Sequence, residues 1–217
     1  FMDRYFAGEE FSTAEIMAAL TMNVSDGSIV PVAMGSPVNL YGVANLLDDM
    51  VQYFPSPDKR HIAGINTKTN EIYEANYDFA KAKSAFVFKT IVDPFIGKYS
   101  LIKVASGVIK NDDTLYNPKQ DVEVKLNKLY VMEGSRTIEV PELHAGDIGA
   151  IGKLNVTKTG ESLSTKTTPI QYAGIDVSVP YTYKRYFAKN KGEEDKISQA
   201  LAKMMQEDLT MKAVNDA

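Results

Sequence analysis

Two pairs of neighbouring carboxylates and one histidine are the side chains of this sequence whose types and spacing could support acid–base chemistry. Neighbouring carboxyl groups can differ in pKa, so that one acts as an acid and the other as a base, and both Asp48-Asp49 and Asp112-Asp113 have that spacing. Each candidate also has a simpler interpretation. Asp112-Asp113 lies in a predicted turn, Asp48-Asp49 on the polar face of a predicted helix, and His144 at the end of a strand. We therefore predict no catalytic residue in this chain.

The segment Gly35-Ser36-Pro37-Val38-Asn39 differs from these candidates because of its neighbours. A short apolar strand is predicted before it and an amphipathic helix after it, and open α/β sheets place their ligands where a strand passes into a helix. The segment is therefore a candidate ligand-binding loop. It could also be a simple turn between the two elements, since its residue types are common in turns.

The sequence contains no motif for phosphate binding, nucleophilic catalysis or metal binding. Neither a Gly-x-x-x-x-Gly-Lys-Ser/Thr loop nor a Gly-x-Ser-x-Gly elbow occurs. The chain has no cysteine, which excludes a disulfide and a thiolate metal site. It has only two histidines, His61 and His144, so a histidine-rich metal centre is improbable. We predict no metal and no cofactor for these residues alone.

The composition is that of a globular protein without an overall basic surface. Of its 217 residues 44% are apolar, which is enough to form a core. Lysine and arginine total 24 against 28 aspartate and glutamate, so the net charge of -4 gives no general attraction to nucleic acid. A small basic face would still be compatible with a few phosphate contacts. There is no apolar run of about 18 residues and no secretion signal. We expect a cytoplasmic protein that binds neither membranes nor DNA.

Residues 1–57 are predicted to form part of an α/β domain. Ser12 and Glu15 form a capping box at the start of a helix, and the apolar run 28–34 is predicted to be a buried strand of a parallel sheet. One face of a second helix is marked by Val43, Leu46, Leu47, Met50, Val51 and Phe54, and Pro55-Ser56-Pro57 is predicted to end it. One strand and two helices cannot bury a core, so we expect this chain to be a piece of a longer protein. The alternative is a small helical cap on the next domain.

Residues 58–168 are predicted to form an antiparallel β-barrel, because short extended runs alternate with turns about every 8 to 12 residues from 84 onward. The turns are predicted at Asp93-Pro94, Gly97, Ser106-Gly107, Asn111-Asp112-Asp113 and Glu133-Gly134-Ser135. Apolar residues occupy even positions before Asn127-Lys128 and odd positions after it, so they would face opposite sides of one continuous strand. A bulge or bend is therefore expected there. Residues 58–83 are polar and are predicted to contain a hairpin.

Residues 169–217 are predicted to begin a third domain, of the α+β type. Residues 175–179 have the pattern of an extended segment, and Ile197, Leu201 and Met204 mark one face of an amphipathic helix. These elements do not complete a βαββαβ unit. The predicted fold is therefore mainly β, with one barrel between two incomplete domains.

The order of these segments resembles that of elongation factor G, a translational GTPase, over nearly the whole chain. The residues that carry the resemblance are Tyr53-Phe54-Pro55-Ser56-Pro57, Phe88-Lys89-Thr90, Asp93-Pro94-Phe95, Gly97, Ser106-Gly107-Val108, Asp113-Thr114-Leu115-Tyr116-Asn117, Ala145-Gly146-Asp147-Ile148 and Lys196-Ile197-Ser198-Gln199-Ala200-Leu201. The barrel motifs are typical of translational GTPases in general. That class includes ribosome-protection proteins and release-factor GTPases.

The resemblance implies that residues 1–57 end a GTP-binding domain, that 58–168 are the second-domain barrel, and that 169–217 start a ferredoxin-like third domain. It implies a longer protein that hydrolyses GTP, with Mg²⁺, on the ribosome to drive translocation. The barrel would couple the protein's own GTP-binding domain to ribosomal RNA and proteins. The phosphate and Asn-Lys-x-Asp motifs of the family would precede Phe1, so no GTP is expected on this piece alone.

The resemblance also gives a role to the loop of Gly35, Ser36, Pro37 and Val38. In the family the corresponding Gly-Ser-Ala segment contacts guanine: the serine orients the loop and the next backbone N–H donates to the guanine oxygen. Pro37 has no N–H to donate. Either Val38 supplies the donor, the loop shifts, or the contact is lost.

A different class of function is also compatible with the sequence. A free-standing barrel could bind single-stranded RNA or a peptide, with Phe86, Phe88 or Tyr116 as a platform for stacked bases. Aromatic residues that alternate along a strand are more often part of a core.

Overall fold

The computed structural model describes residues 2–56, 59, 61–93, 97–134 and 136–214. Contacts within the chain divide it into two compact units, Phe1–Arg60 and His61–Ala217, which we call the first and the second unit. Pro57, the predicted turn residues Pro94 and Ser135, and Phe95 of the resemblance motif lie outside the described residues. The predicted domain boundaries stay predictions.

Helices are the regular elements of the first unit: α1 (Met2–Phe6), α2 (Thr13–Ser25) and α3 (Val43–Tyr53). The predicted capping box is confirmed, because the Glu15 N–H donates to Ser12 Oγ at 3.3 Å and the Ser12 N–H donates to Glu15 Oε2 at 2.9 Å. Arg4 Nη1 also donates to Glu15 Oε1, at 2.6 Å. The hydrogen bond from Arg4, with those from Ser12, lowers the pKa of Glu15 to about 2.

The strand predicted at residues 28–34 is not formed. Val30, Val32 and Met34 are 78%, 87% and 94% exposed, and the segment belongs to no ladder. A strand needs a neighbour for its N–H and C=O groups. The described part of the first unit offers no second strand and contains no buried residue. An apolar run alone was therefore an insufficient signal for a strand.

The second unit begins with a hairpin of β1 (Ala63–Asn66) and β2 (Ile72–Glu74), which confirms the hairpin predicted within residues 58–83. The two-residue strand β13 (Ile170–Gln171) pairs with the other side of β1. Gly64 lies at this contact, where a Cβ would be only 2.9 Å from the Gln171 carbonyl oxygen. The close approach of β13 to β1 therefore requires glycine at position 64.

Eight strands form the main antiparallel sheet of the second unit. Their order across the sheet is β7 (Val122–Lys125), β6 (Thr114–Asn117), β12 (Ser162–Ser164), β3 (Ser84–Asp93), β4 (Gly97–Ser106), β11 (Ile148–Gly152), β8 (Leu129–Glu133) and β9 (Arg136–Val140). β5 (Val108–Lys110) and β10 (Glu142–His144) form a separate antiparallel pair. The prediction of a mainly β, antiparallel fold is confirmed.

The core of this sheet consists of branched apolar side chains that have no exposed surface. On β4, the buried residues Ile102 and Val104 alternate with the partly exposed Leu101 and Lys103, as expected where one face of a strand is covered. Val87, Ile109, Leu126, Leu129, Ile151 and Leu163 complete this layer. Burying each such side chain contributes about 1.5–3 kcal/mol.

The chain changes ladder at residues 126–128, where a bulge or bend was predicted. β7 pairs with β6 before this point, whereas β8 pairs with β11 and β9 after it. The side chain of Leu126 is fully buried at the corner, and the Leu129 N–H donates to Asn111 Oδ1 at 2.8 Å. The parity change in the sequence therefore marks a bend between two strands.

After β13, helix α4 (Glu194–Glu207) confirms the predicted amphipathic helix. Glu207 Oε1 accepts a hydrogen bond from the Val92 N–H of β3 at 2.5 Å. The extended segment predicted at residues 175–179 forms no ladder, and Val179 is 70% exposed.

Candidate functional site

The loop predicted to bind a ligand is closed by two backbone hydrogen bonds. The Ser36 N–H donates to the Tyr41 carbonyl at 3.0 Å, and the Leu40 N–H donates to the Pro37 carbonyl at 3.4 Å. The second bond makes residues 37–40 a β-turn, with Val38 at its second position. The sequence folds this way because proline starts a turn readily and a polar Asn39 follows.

Two glycines hold the ends of this loop together. A Cβ on Gly35 would lie 2.7 Å from the Tyr41 carbonyl oxygen, and one on Gly42 would lie 3.1 Å from the Met34 carbonyl oxygen. Gly42 also has φ +76° as the N-cap of α3. Any larger residue at either position would push the two sides of the loop apart. The loop therefore keeps a fixed shape despite its exposure.

The four residues assigned to guanine by resemblance are brought together at the tip of this loop. Val38 is 91% exposed, and its N–H has no acceptor among the residues the structure describes. Asn39 Nδ2 donates to Ser36 Oγ at 3.2 Å, which orients the serine. The Val38 N–H is thus available to an external acceptor, whereas Pro37 has no N–H.

The loop does not have the form of a phosphate cradle. It offers one outward N–H, but a phosphate cradle needs several converging N–H groups before a helix, and the sequence has no such motif. Within the described ranges no cluster of His, Cys, Asp or Glu could hold a metal ion. None of the helices in those ranges has the length and apolar character needed to cross a bilayer.

The acid pairs and His144 lie in a turn, within a helix and at a strand end, where the sequence placed them. Asp113 Oδ2 accepts from the Lys110 N–H at 2.7 Å and from Lys83 Nζ at 2.6 Å, so it stabilises the turn before β6. Asp48 and Asp49 lie within α3. The His144 N–H donates to Asp147 Oδ2 at 2.8 Å in the turn after β10.

The aromatic platform of the alternative hypothesis is largely committed to the fold. Phe86 packs against a core cluster that includes Ala105, Ile170 and Tyr172. The Tyr116 hydroxyl donates to Asp121 Oδ1 at 2.6 Å. Phe86, Phe88 and Tyr116 are each partly exposed, so the alternative stays a prediction.

A buried carboxylate that sequence reasoning missed holds the loop before β12. Glu161 is 2% exposed and accepts hydrogen bonds from Asn117 Nδ2 (2.9 Å), Gln120 Nε2 (2.7 Å) and the Lys158 N–H (3.0 Å). Burial disfavours its charged form, but the hydrogen bonds outweigh burial, so the pKa of Glu161 lies below its ordinary value. Glu161 therefore ties residues 117–120 to 158–161.

A cluster of buried hydroxyl groups was also missed. Ser84 Oγ lies 2.7 Å from the Tyr172 hydroxyl and 2.5 Å from Ser106 Oγ, which in turn donates to the Ala82 carbonyl at 2.6 Å. Burial raises the pKa of Tyr172 to about 12. This hydroxyl cluster fastens the chain after β13 to β3 and β4.

The barrel also carries a polar cleft of about 480 Å³ on its surface. Tyr99 and Tyr130 lie in it edge to face, with ring centroids 5.5 Å apart. Lys98 lines the cleft, donates from Nζ to the Thr157 carbonyl at 3.0 Å, and has its pKa lowered by burial. No signal in the sequence indicated this cleft, because its residues come from strands far apart in the chain.

Comparison with known proteins shows which family the main sheet resembles. Residues 82–166, which contain β3 to β12, match the family described as Elongation factor G domain 2. The crystal structure of a protein from Thermus thermophilus aligns with 97% of this chain, with a TM-score of 0.72 and 26% sequence identity. The aligned part is 29% of that protein. The chain thus spans less than a third of the length of this relative.

Proposed function

Residues 82–166 match the elongation factor G domain 2 family, and on that premise we propose that the chain acts in a ribosome-dependent GTPase of protein synthesis. The barrel couples the nucleotide state of a GTP-binding domain to the ribosome, and the longer protein translocates transfer and messenger RNA. Mg²⁺ accompanies the GTP in that protein. The single observation that carries the proposal is the family match over residues 82–166, which contain the main sheet.

The architecture of the barrel suits a coupling element. Every strand of the main sheet except β7 and β9 has a ladder partner on each side, and the core residues Val87, Ile102 and Ile151 have no exposed surface. A body packed in this way moves as a unit rather than deforming. A rotation of the GTP-binding domain would then be passed on as a rigid-body movement.

The loop at 35–38 is proposed to contact the guanine base of GTP. Gly35 and Gly42 fix its shape, Asn39 orients Ser36, and the Val38 N–H points to no acceptor in the described structure. The role proposed for the loop is recognition of the base. When bound, GTP supplies the phosphoryl group that is hydrolysed.

Ribosome-stimulated GTP hydrolysis tests the coupling role. Deleting residues 84–168 from the longer protein should abolish the stimulation while GTP binding persists, which shows that the GTP-binding domain remains folded. Stimulation that is unchanged by the deletion would contradict the coupling role.

Because a deletion can also misplace the remaining domains, this chain should be tested by itself. It should sediment with ribosomes, and in excess it should inhibit GTP hydrolysis by the longer protein. Failure of the folded chain to bind ribosomes or to compete would count against the barrel as the ribosomal contact.

The loop is tested with a matched pair of variants in the longer protein. Val38→Pro removes the N–H, and proline is well tolerated at the second position of a turn, so the loop should keep its shape. Val38→Ala removes the side chain and keeps the N–H. GTP affinity should fall about tenfold in Val38→Pro only. Equal GTP affinities in the two variants would show that the Val38 N–H does not donate to guanine.

A further inference from the structure

The polar cleft of the barrel lies wholly within the residues that match the family, since its lining runs from Lys98 to Lys153. Its walls come from β4, β8, β9 and β11 and from the turn before β6. No residue of the first unit, or of the chain after β13, contributes to it. Its volume of about 480 Å³ is within the range of roughly 300–1,000 Å³ that small-molecule sites have.

Several polar side chains of the cleft have no partner among the residues the structure describes. Tyr99 is only 4% exposed, yet its hydroxyl makes no hydrogen bond there. The ammonium group of Lys153 and the side-chain amide of Asn127 are also unpaired in the described ranges. Polar groups in a largely buried place are costly to leave unpaired. Their open donors therefore mark where the atoms of a ligand can bind.

Lys153 occupies its place in the cleft at a cost to the backbone. Its φ of +61° lies in the left-handed region, where a side chain is strained and glycine is not. The Lys153 N–H donates to the Lys98 carbonyl at 2.8 Å, which holds the chain in this turn at the end of β11. Strained residues of this kind are concentrated at ligand sites. Folding alone would be served better by glycine at this position.

Gly152 leaves a space beside the two tyrosine rings of the cleft. A Cβ at this position would lie 3.6 Å from Tyr130 Cε2 and 3.8 Å from Tyr99 Cε1, which is ordinary contact. A larger side chain would therefore be accepted by the strand but would fill the space next to the rings. Tyr130 is partly exposed, so a flat ligand in this space can lie against its ring.

We propose that the cleft binds a nucleoside monophosphate, with the base against the Tyr130 ring and the phosphate at Lys153. Aromatic rings stack with any base, and an ammonium group pairs with phosphate. The Asn127 amide has both a donor and an acceptor for the edge of the base. The exposed carboxylate of Asp112 can accept from the ribose hydroxyls.

The charge of the lining favours an anion. The lysines Lys98, Lys128 and Lys153 stand against the carboxylates Asp112 and Glu139. Lys128 pairs with Glu139 at 2.7 Å, so the other two lysines face one carboxylate. A free nucleotide and a nucleotide within an RNA strand share this chemistry. The proposal goes beyond GTP hydrolysis and does not rest on it.

Binding is tested by calorimetric titration of the whole chain with AMP. AMP should bind with a Kd below about 1 mM, and adenosine and inorganic phosphate should each bind at least about tenfold more weakly. Oligoadenylate of about ten nucleotides then separates the two sources. Tighter binding of the strand than of AMP would identify a nucleotide within RNA, and equal binding would identify the free nucleotide. Binding of neither, or binding of phosphate as tight as that of AMP, would overturn the proposal.

Gly152→Val places the binding in the cleft. The added side chain fills the space beside the rings, so AMP affinity should fall at least about tenfold. The urea midpoint should not fall, because the new side chain makes only ordinary contacts. A folded Gly152→Val chain that binds AMP as the natural chain does would show that the ligand lies elsewhere.

Lys153→Gly separates binding from folding. AMP affinity should fall about tenfold, whereas the urea midpoint should stay the same or rise because the strain is removed. A lysine that served folding would give the opposite pattern. Lys153→Gln should weaken binding similarly. Lys166→Gln removes the same charge at an exposed ion pair outside the cleft and should leave the affinity unchanged.

The longer protein shows whether the cleft stays open beside its other domains. It should bind AMP as this chain does, and Gly152→Val should remove that binding while GTP affinity is kept. Loss of AMP binding in the longer protein would mean that a neighbouring domain covers the cleft, which would overturn the proposal. Because GTP hydrolysis is not the readout, these results can be told apart from a failure of the proposed function.

Discussion

The two units differ in how their apolar residues are used. In the first unit Val30, Val32 and Met34 form an apolar run that packs on nothing in the described residues, and no described side chain there is buried. In the second unit Ile102 and Val104 occupy a similar run and are completely buried. The difference lies in the neighbours: β4 has β3 on one side and β11 on the other. An apolar run therefore becomes part of a core only where neighbouring strands pair with it.

The helices of the first unit therefore depend on local interactions. α2 begins at a capping box between residues three positions apart and at an ion pair between Arg4 and Glu15, eleven positions apart. The barrel depends instead on contacts between distant residues, such as Ser84 with Tyr172 and Asn117 with Glu161. Substitutions in the barrel should accordingly lower the free energy of unfolding far more than matched substitutions in the first unit.

Truncating one apolar residue in each unit should give the largest contrast. Ile102→Ala should destabilise the barrel by about 3 kcal/mol, because it leaves a cavity in a packed core. Leu47→Ala on α3, at a side chain that is 57% exposed, should cost less than about 0.5 kcal/mol. Urea unfolding of the whole chain measures both. Similar losses in the two variants would show that α3 is buried in solution.

Alkaline pH should weaken the barrel through Tyr172. Its pKa is raised to about 12 by burial, against 10.0 when unfolded, so the unfolded state ionises first. The stabilisation is complete below pH 10 and disappears as pH rises through 12, a loss of about 3 kcal/mol. Tyr172→Phe should lack this loss, at a cost of about 1 kcal/mol at neutral pH. Parallel stability curves for the two proteins would contradict the prediction.

Acid should weaken the barrel through Glu161, by a smaller amount. Its pKa is lowered in the folded state, so the stabilisation is present above the unfolded value of 4.5 and is lost as pH falls below it. Glu161→Gln should cost about 2 kcal/mol at neutral pH and should flatten the acid limb of the stability curve. Glu123→Gln, at an exposed ion pair with Lys166, is the matched control and should change little.

The smallest expected effect lies in the first unit. Ser12→Ala removes one partner of the capping box and should destabilise α2 by about 1 kcal/mol, seen as a loss of helical circular dichroism. Ser12→Asp retains an acceptor and should keep the helical signal. Because α2 has no buried residue, the barrel's unfolding transition should stay in place in both variants. A shift of that transition would mean that the two units do not unfold independently.

The sequence was sufficient wherever a local signal fixes local structure. The capping box at Ser12, the turn at Asp113, the hairpin in 58–83 and the parity change before Leu129 all appear in the structure. These features depend on residues a few positions apart. The resemblance of the barrel to elongation factor G is likewise confirmed by the match of residues 82–166.

What the sequence did not reveal depends on distant partners. The run at 28–34 was predicted to be a strand although nothing local specifies its neighbour. Glu161 and Tyr172 were not singled out, because their partners Asn117 and Ser84 lie 44 and 88 positions away. The loop at 35–38 was found from its position before a helix, and its contact with guanine stays a proposal.

The hydrogen bond between the Tyr172 hydroxyl and Ser84 Oγ fixes the point at which the chain after β13 leaves the barrel. β13 pairs with β1 over two residues only, so the tyrosine hydroxyl carries much of the fastening at this end of the barrel. Helix α4 gives the chain a second attachment, because Glu207 Oε1 accepts a hydrogen bond from the Val92 N–H of β3. The residues between Tyr172 and Glu207 are therefore joined to the second unit at both ends.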